Sequence, residues 1–285
     1  MIAALAALAV ACVVYGIWIE RSWYRLVRYR LDILPATTSP LTVLHLSDLH
    51  FVREDARKAR FLASLPAPDV TVITGDFLAE PEGVEAAAAA VRPLRGRLAS
   101  WFVLGSNDYF VPKPLNYLEY FRKRRRRRIV RRGRAADLVR VLVDDGWTDL
   151  TNVRYDASLD GLAIELLGLD DAHIDKHDLR VAPRESPERF GVAVMHSPDS
   201  APEAAALGYD LLFAGHTHGG QVRLPGVGAL VTNSSMPRRL VSGLIRMGTS
   251  VLHTSPGLGT SKYAPFRFWC RPEATVLELR PRASR

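Results

Sequence analysis

The chain has 285 residues, 48% of them apolar and 24% charged, with two cysteines; this suits one large folded domain or two small ones and excludes both a disordered chain and a disulfide framework. The formal net charge is +8, yet Arg122 to Arg134, RKRRRRRIVRRGR, holds ten basic residues and no acidic one. The remainder is mildly acidic, so the protein is not basic over its whole surface and electrostatic arguments must be local.

Ile2 to Ile19, IAALAALAVACVVYGIWI, is an unbroken apolar run. At about 1.5 Å per residue it just spans a bilayer core. Trp23, Tyr24 and Tyr29 follow it with Arg21, Arg25, Arg28 and Arg30, as in an interfacial belt. A cleaved signal peptide would carry positive charge before the run, and no Lys or Arg precedes it. Ala9 to Cys12, AVAC, has a trace of a lipoprotein cleavage site, but the apolar segment continues past the cysteine. Residues 1–19 are therefore read as a single-pass transmembrane anchor and residues 20–40 as a juxtamembrane segment and linker. Residues 41–285 read as one domain, with a basic insertion at 109–134. The arginines after the run predict a body on the cytoplasmic side of a cell membrane.

Beyond the linker, Leu41 to Leu46 reads as a buried strand, Asp55 to Leu65 as a helix and Val70 to Ile73 as a strand. Glu82 to Leu94 reads as an alanine-rich helix, Trp101 to Leu104 as a strand and Ala135 to Leu142 as a helix. Ala163 to Leu167, Val192 to Met195 and Leu211 to Phe213 read as strands, with a helix over Ser200 to Gly208. After Gln221 the pattern is β, ending at Ala274 to Leu279. Strands alternating with helices predict an α/β domain with mostly central strands.

Five of these strands end in side chains that ligate metals. The endings are Asp48-Leu-His50, Gly75-Asp76, Gly105-Ser-Asn107-Asp108, His196, and Gly215-His216-Thr-His218. In an open α/β sheet, sites form beyond the carboxyl ends of strands, so distant parts of the chain can deliver these groups to one crevice. Nitrogen and oxygen ligands without sulfur suit Mn, Fe, Zn or Co. Taken singly, a DxH or GD string is common. The ordered set resembles the calcineurin-like metallophosphoesterases, from about Thr42 to Gln221 and on toward the C-terminus.

The resemblance implies a four-layer α/β/β/α sandwich and two divalent metal ions. Asp48, His50 and His218 would hold the first, Asn107, His196 and His216 the second, and Asp76 would bridge them. The chemistry implied is hydrolysis of a phosphoester or phosphoanhydride by a metal-bridging hydroxide, with Asp76, Asn107, Asp108 and His216 in the catalytic set. The family usually reads Gly-Asn-His where this chain reads Asn107-Asp108. Asp108 stands where a His helps protonate the leaving group, and could act as an acid only with a raised pKa. A leaving group that needs little protonation, as in a pyrophosphate, is the other explanation.

Further details resemble a membrane-anchored branch of that superfamily, similar to UDP-2,3-diacylglucosamine hydrolases. These are the string GHTHGGQ followed by Leu224-Pro-Gly226, the element Gly168-Leu-Asp170-Asp171, and the tail Gly257 to Glu273. The substrate so implied is lipid-linked or nucleotide-linked. Asp170, Asp171 and His173 either line the site or cap a turn. His45 has the opposite parity to Asp48 and His50 and reads as structural, and Cys270 as a small buried hydrophobe. The basic run, flanked by Tyr109, Phe110, Tyr117, Tyr120 and Phe121, reads as a solvated insertion, an anionic-lipid contact or a nucleic-acid contact. The anchor favours lipid. The alternatives are a nuclease or cyclic-nucleotide phosphodiesterase, and a non-catalytic membrane scaffold. The chain has no glycine-rich phosphate loop and no Gly-x-Ser-x-Gly elbow.

Overall fold

A computed structural model describes residues 1–112 and 131–283. The first helix, α1 (Ile2–Val14), continues through tighter and wider turns to Ser22. This 21-residue helix is long and apolar enough to cross a membrane, and almost none of it is covered by the rest of the protein. Fourteen strands follow among the described residues, the first nine being β1 (Arg25–Leu34), β2 (Leu41–Leu46), β3 (Val70–Thr74), β4 (Ala99–Val103), β5 (Thr148–Asp149), β6 (Val153–Leu159), β7 (Leu162–Leu169), β8 (Phe190–Met195) and β9 (Leu211–Ala214). Then come the two-residue pair β10 (Arg223–Leu224) and β11 (Gly228–Ala229), and β12 (Gly243–Met247), β13 (Ser250–Thr254) and β14 (Glu273–Pro281). The helices of the body are α2 (Ala56–Ala63), α3 (Val84–Val91), α4 (Ser106–Tyr109), α5 (Ala135–Asp144) and α6 (Ala201–Ala206).

Two six-stranded sheets form, in the orders β1-β14-β2-β3-β4-β5 and β12-β13-β9-β8-β7-β6. Strands β2 to β5 are parallel, as are β7, β8, β9 and β13. The period of two along each strand sorts its residues into layers. Val43, Val72, Trp101 and Val103 of the first sheet meet Ile164, Val192, Val194 and Phe213 of the second in the central core. Leu44, Ile73 and Phe102 face the other way, against Leu62 of α2, Val84 and Ala88 of α3, and Leu138 and Leu142 of α5. Ala193, Met195 and Leu212 face outward from the second sheet, onto Ala201 and Ala204 of α6. This is the four-layer α/β/β/α sandwich, with a core layer between the sheets and one under each helical face.

Local chemistry sets the helix ends. The Asp55 side chain caps α2 by accepting from Lys58 N at 2.9 Å. The alanine-rich segment expected as one helix from Glu82 to Leu94 is helical only over Val84–Val91. Single 3₁₀ turns flank it at Pro81–Gly83 and Arg92–Leu94, where Pro81 and Pro93 remove backbone donors.

One correction concerns residues 20–40. The stretch read as a juxtamembrane segment contains β1, paired parallel to β14 over nearly its full length. Arg25 and Arg30 reach Glu273 and Glu278 across the pair, and the ring of Tyr24 stacks on Phe61 at 5.1 Å. Arg28 and Tyr29 lie on the same strand, with the Tyr29 ring 5.7 Å from His253, so these groups serve the fold, and Arg21 and Trp23 remain of the expected interfacial belt. The alternation Leu31-Asp32-Ile33 was the available signal, hidden because the arginines on the exposed positions resemble a membrane flank.

Candidate metal centre

The carboxyl ends of β2, β3 and β4 from one sheet, and of β7, β8 and β9 from the other, open on the same edge of the sandwich. Each chain turn there is tight. Asp48, His50, Asp76, His216 and His218 all have positive φ, between 49° and 66°. Such backbone is disfavoured for residues with a Cβ and clusters at functional sites. Two glycines make room: a Cβ on Gly105 would lie 2.3 Å from Asp76 Oδ1, and one on Gly215 1.8 Å from Ser47 Oγ.

The side chains converge in two groups. Asp48, His50 and His218 form one, and Asp171, His196 and His216 the other, with ligand atoms in each group within 4.8 Å of one another. In the first, His50 Nε2 and His218 Nε2 are 3.2 Å apart, and Asp48 Oδ1 lies 3.5 Å from His218 Nε2. In the second, His216 Nδ1 and His196 Nε2 are 3.2 Å apart. Asp76 stands between them: its Oδ2 is 3.6 Å from His50 Nε2 and 3.6 Å from His196 Nε2. Asn107 abuts Asp76 by its amide nitrogen (2.5 Å to Oδ2) and its backbone N–H (2.8 Å to Oδ1).

These groups fit a cation. Asp48 Oδ1 and Asp171 Oδ2 are buried without a hydrogen-bond partner, each aimed at imidazole nitrogens. Three buried carboxylates at such range repel one another unless positive charge sits among them. The titrations carry the same signature. Burial, with the Asp76 charge adding, pushes Asp48 up to about 7. Burial also opposes charge on Asp76, but the His196 and His50 imidazoles outweigh it and hold Asp76 below the usual carboxylate range. Burial disfavours the protonated His196 ring, yet Asp76, Asp171 and Asp48 raise its pKa to about 10. Burial lowers His50 to about 4 and also lowers His216 and His218, leaving these three neutral and ready to ligate near pH 7.

All seven expected metal residues thus meet at one site. Asp171, left open between a turn cap and a site residue, does both. Its Oδ1 accepts from His173 N at 2.8 Å, and its Oδ2 faces His196 at 4.0 Å. The His173 ring lies 4.4 Å from that of His216, centroid to centroid. Asp170 instead accepts from the Tyr109 hydroxyl at 2.8 Å.

Asp108, which stands at the position of the leaving-group acid, lies against the backbone of the strand ends. Its carboxyl is fully buried, with Oδ2 accepting from Asp76 N (3.0 Å) and Gly105 N (2.9 Å) and Oδ1 from Leu78 N (3.0 Å). Burial and the neighbouring Asp76 push its pKa up to about 8. Both oxygens are engaged with backbone N–H groups and so hold the strand ends of Asp76 and Gly105 together.

His45 is structural, as its parity predicts. It lies fully buried between the sheets, Nδ1 to Nδ1 with His253 at 2.7 Å. Cys270 is buried and its thiol donates to His218 O at 3.3 Å. Cys12 and Cys270 are both free thiols. Most of the basic run, Arg122 to 130, lies outside the described residues. Its flanks pair beside the site, Val111 N with Arg131 O at 3.1 Å and Gly133 N with Tyr109 O at 2.7 Å.

Two packed mixed sheets carrying buried Asp and His clusters at one edge define a metallophosphoesterase. The chain belongs to the calcineurin-like phosphoesterase family, which it matches over residues 41–220, and it is a metal-dependent phosphoesterase. It is 27% identical over 271 residues to the phosphodiesterase YaeI of Escherichia coli (strain K12), covering 93% of this chain and 92% of that one. It is 27% identical to the uncharacterized metallophosphoesterase YkuE of Bacillus subtilis (strain 168), over 83% of this chain and 76% of that one. A transmembrane protein with metallophosphoesterase domain from Bos taurus is 29% identical over 86% of this chain, which spans 54% of that protein.

Proposed function

We propose that the site is binuclear and hydrolyses a phosphodiester or phosphoanhydride whose leaving group departs without a proton from Asp108. The observation that carries the binuclear reading is the position of Asp76 Oδ2, equidistant from His50 Nε2 and His196 Nε2. Asp48, His50 and His218 would hold one divalent ion. His196 and His216, with Asn107 and Asp171 beside them, would hold the other. Bound there, the ions would supply Lewis acidity toward phosphoryl oxygens and an ionised water as nucleophile. Asn107 keeps Asp76 in place through its two contacts. His173, over the His216 ring, borders the space for the scissile group.

The engagement of both Asp108 oxygens with backbone N–H groups supports an anhydride or otherwise activated ester, whose leaving group needs no proton from that carboxyl. The E. coli relative named a phosphodiesterase supports a diester or anhydride over a monoester. The apolar helix supports a lipid-linked substrate, the class suggested by the likeness to UDP-2,3-diacylglucosamine hydrolases. The arginines that follow the helix support a body on the cytoplasmic face. The basic run, rooted at Tyr109 and Gly133 beside Asn107, would add a local attraction for anionic headgroups. A non-catalytic scaffold is disfavoured because burying Asp48, Asp76 and Asp171 together, with Asp48 Oδ1 and Asp171 Oδ2 unpaired, serves no packing purpose.

The test is bound metal by elemental analysis, with Mn-supplemented hydrolysis of bis-p-nitrophenyl phosphate on the same sample. The expected result is about two ions per chain, and a loss on the order of 10³-fold in kcat for Asp76→Asn. One ion per chain with full turnover would remove the binuclear reading, and no metal with no turnover would restore the scaffold.

A further inference from the structure

The end of the apolar helix is welded to a loop that itself reaches the metal centre. Glu20, almost fully buried, accepts the backbone N–H groups of Trp269 (2.9 Å, Oε2) and Cys270 (2.5 Å, Oε1). Arg267 N donates to Gly16 O, and a Cβ on Gly16 would lie 2.2 Å from the Phe266 ring. Tyr15 meets Phe268 edge-on, and Phe268 stacks over Phe266. On its inner side the same loop sends the buried Arg267 guanidinium to the carbonyls of Pro256, Gly257, Gly259 and Cys270. Gly257 and Gly259 pack directly on Asp48 and His50, and the Cys270 thiol donates to His218 O.

Between these buried neighbours Trp269 points outward. It is 64% exposed, at φ 56°. A disfavoured backbone conformation that displays an indole to the surroundings is held in place by the Glu20 carboxylate, not by packing of the ring. Trp18 (66%) and Trp23 (50%) are exposed as well, and the Arg271 guanidinium lies 4.0 Å over the Trp23 ring. Arg57 donates to Ser22 Oγ at 2.5 Å, bringing a further cation to the helix end.

We propose that the Phe266–Cys270 loop is a second membrane contact, with Trp269 seated in the interfacial layer beside Trp18 and Trp23. Continuity with the helix fixes the depth. Twenty-one residues span about 32 Å, close to the hydrocarbon thickness, so Glu20 lies at headgroup level. Trp269, bonded to Glu20 through its backbone, lies there too. Indoles prefer this layer, where the ring is in acyl chains and the N–H is wet, and the adjacent arginines complement lipid phosphates. The contact goes beyond anchoring: through Arg267 and Cys270 it holds the His218 side of the metal centre at the bilayer surface. The class of substrate that fits is an amphiphilic phosphoester that keeps its apolar part in the membrane.

The test reads position and not turnover, so it stands or falls apart from the catalytic reading. The full chain is reconstituted in nanodiscs as the Trp18→Phe, Trp23→Phe double variant, leaving Trp269 with the buried Trp101 and Trp147. The emission of the triple variant that also carries Trp269→Phe is subtracted. Lipids brominated near the headgroup are expected to quench Trp269 at least twofold more than lipids brominated near the chain ends, and acrylamide is expected to quench it weakly. Full acrylamide quenching with no bromine effect would overturn the proposal. So would shielding without bromine quenching in a sample that cross-links as a dimer, which would make the loop a contact between copies.

Discussion

At the residue scale the two strand-end aspartates that differ most are Asp76 and Asp108. One faces imidazoles and the other faces amides, although both close a parallel strand. Asp108→Asn presents an NH₂ to backbone donors, and each buried amide left unpaired costs about 1–3 kcal/mol. The melting temperature should fall by several degrees. The slope of log kcat against leaving-group pKa should stay unchanged across a series of aryl esters. A slope that steepens in the variant would restore an acid role. His196 makes the second prediction. Its pKa is raised to about 10 by three carboxylates, so it carries a proton at neutral pH and must lose it to ligate. Asp48, pushed up to about 7, adds a fraction of a proton. Mn²⁺ titrated into chelated protein should release at least one proton per chain near neutrality, read as the difference in heat between buffers of different ionisation enthalpy. Affinity should rise with pH. Proton-neutral binding would contradict the assigned ligand.

At the element scale β1 carries the main consequence. Ile33 and Leu34 are buried in the core between the sheets, each worth about 1.5–3 kcal/mol, and the strand covers one edge of β14. A soluble body cut at Pro40 should melt well below one cut before Trp23, or aggregate through the bared β14. Equal melting curves would mean that β1 adds little. The helices α2, α5 and α6 were legible in the sequence because their apolar spacing is local, as with Leu138 and Leu142 four apart on α5. The strand at Arg25–Leu34 was not, because its partner lies some two hundred and fifty residues away and its exposed arginines mimic a membrane flank. The broken helix around α3 was masked in the same way, its alanines outweighing the two prolines that stop it.

At the scale of the whole molecule the candidate metal residues come from both sheets: Asp48, His50, Asp76 and Asn107 from one, and Asp171, His196, His216 and His218 from the other. Ions held among them would tie the sheets together at one edge. Ligand at a hundredfold its dissociation constant adds about 2.7 kcal/mol. Removal by a chelator should therefore lower the melting temperature by roughly 5–10 °C, restored by adding Mn²⁺. The shift should be lost in a variant that carries both His50→Ala and His196→Ala. A chelator without effect on the native chain would place the ions outside the folded core.

The sequence by itself determined the apolar N-terminal helix, most of the core strands with their alternating faces, and the Asp and His strand ends, because each depends on near neighbours: an apolar run, a period of two, a glycine that permits a sharp turn. Only the tertiary structure decided the rest. It turned Asp108 inward onto three amides, aimed Asp171 at His196, and drew β1 into the sheet beside β14. It also fastened Trp269 to Glu20, almost the length of the chain away. Each of these is a contact between segments distant in sequence, and no local spacing encodes which distant backbone group a side chain will meet.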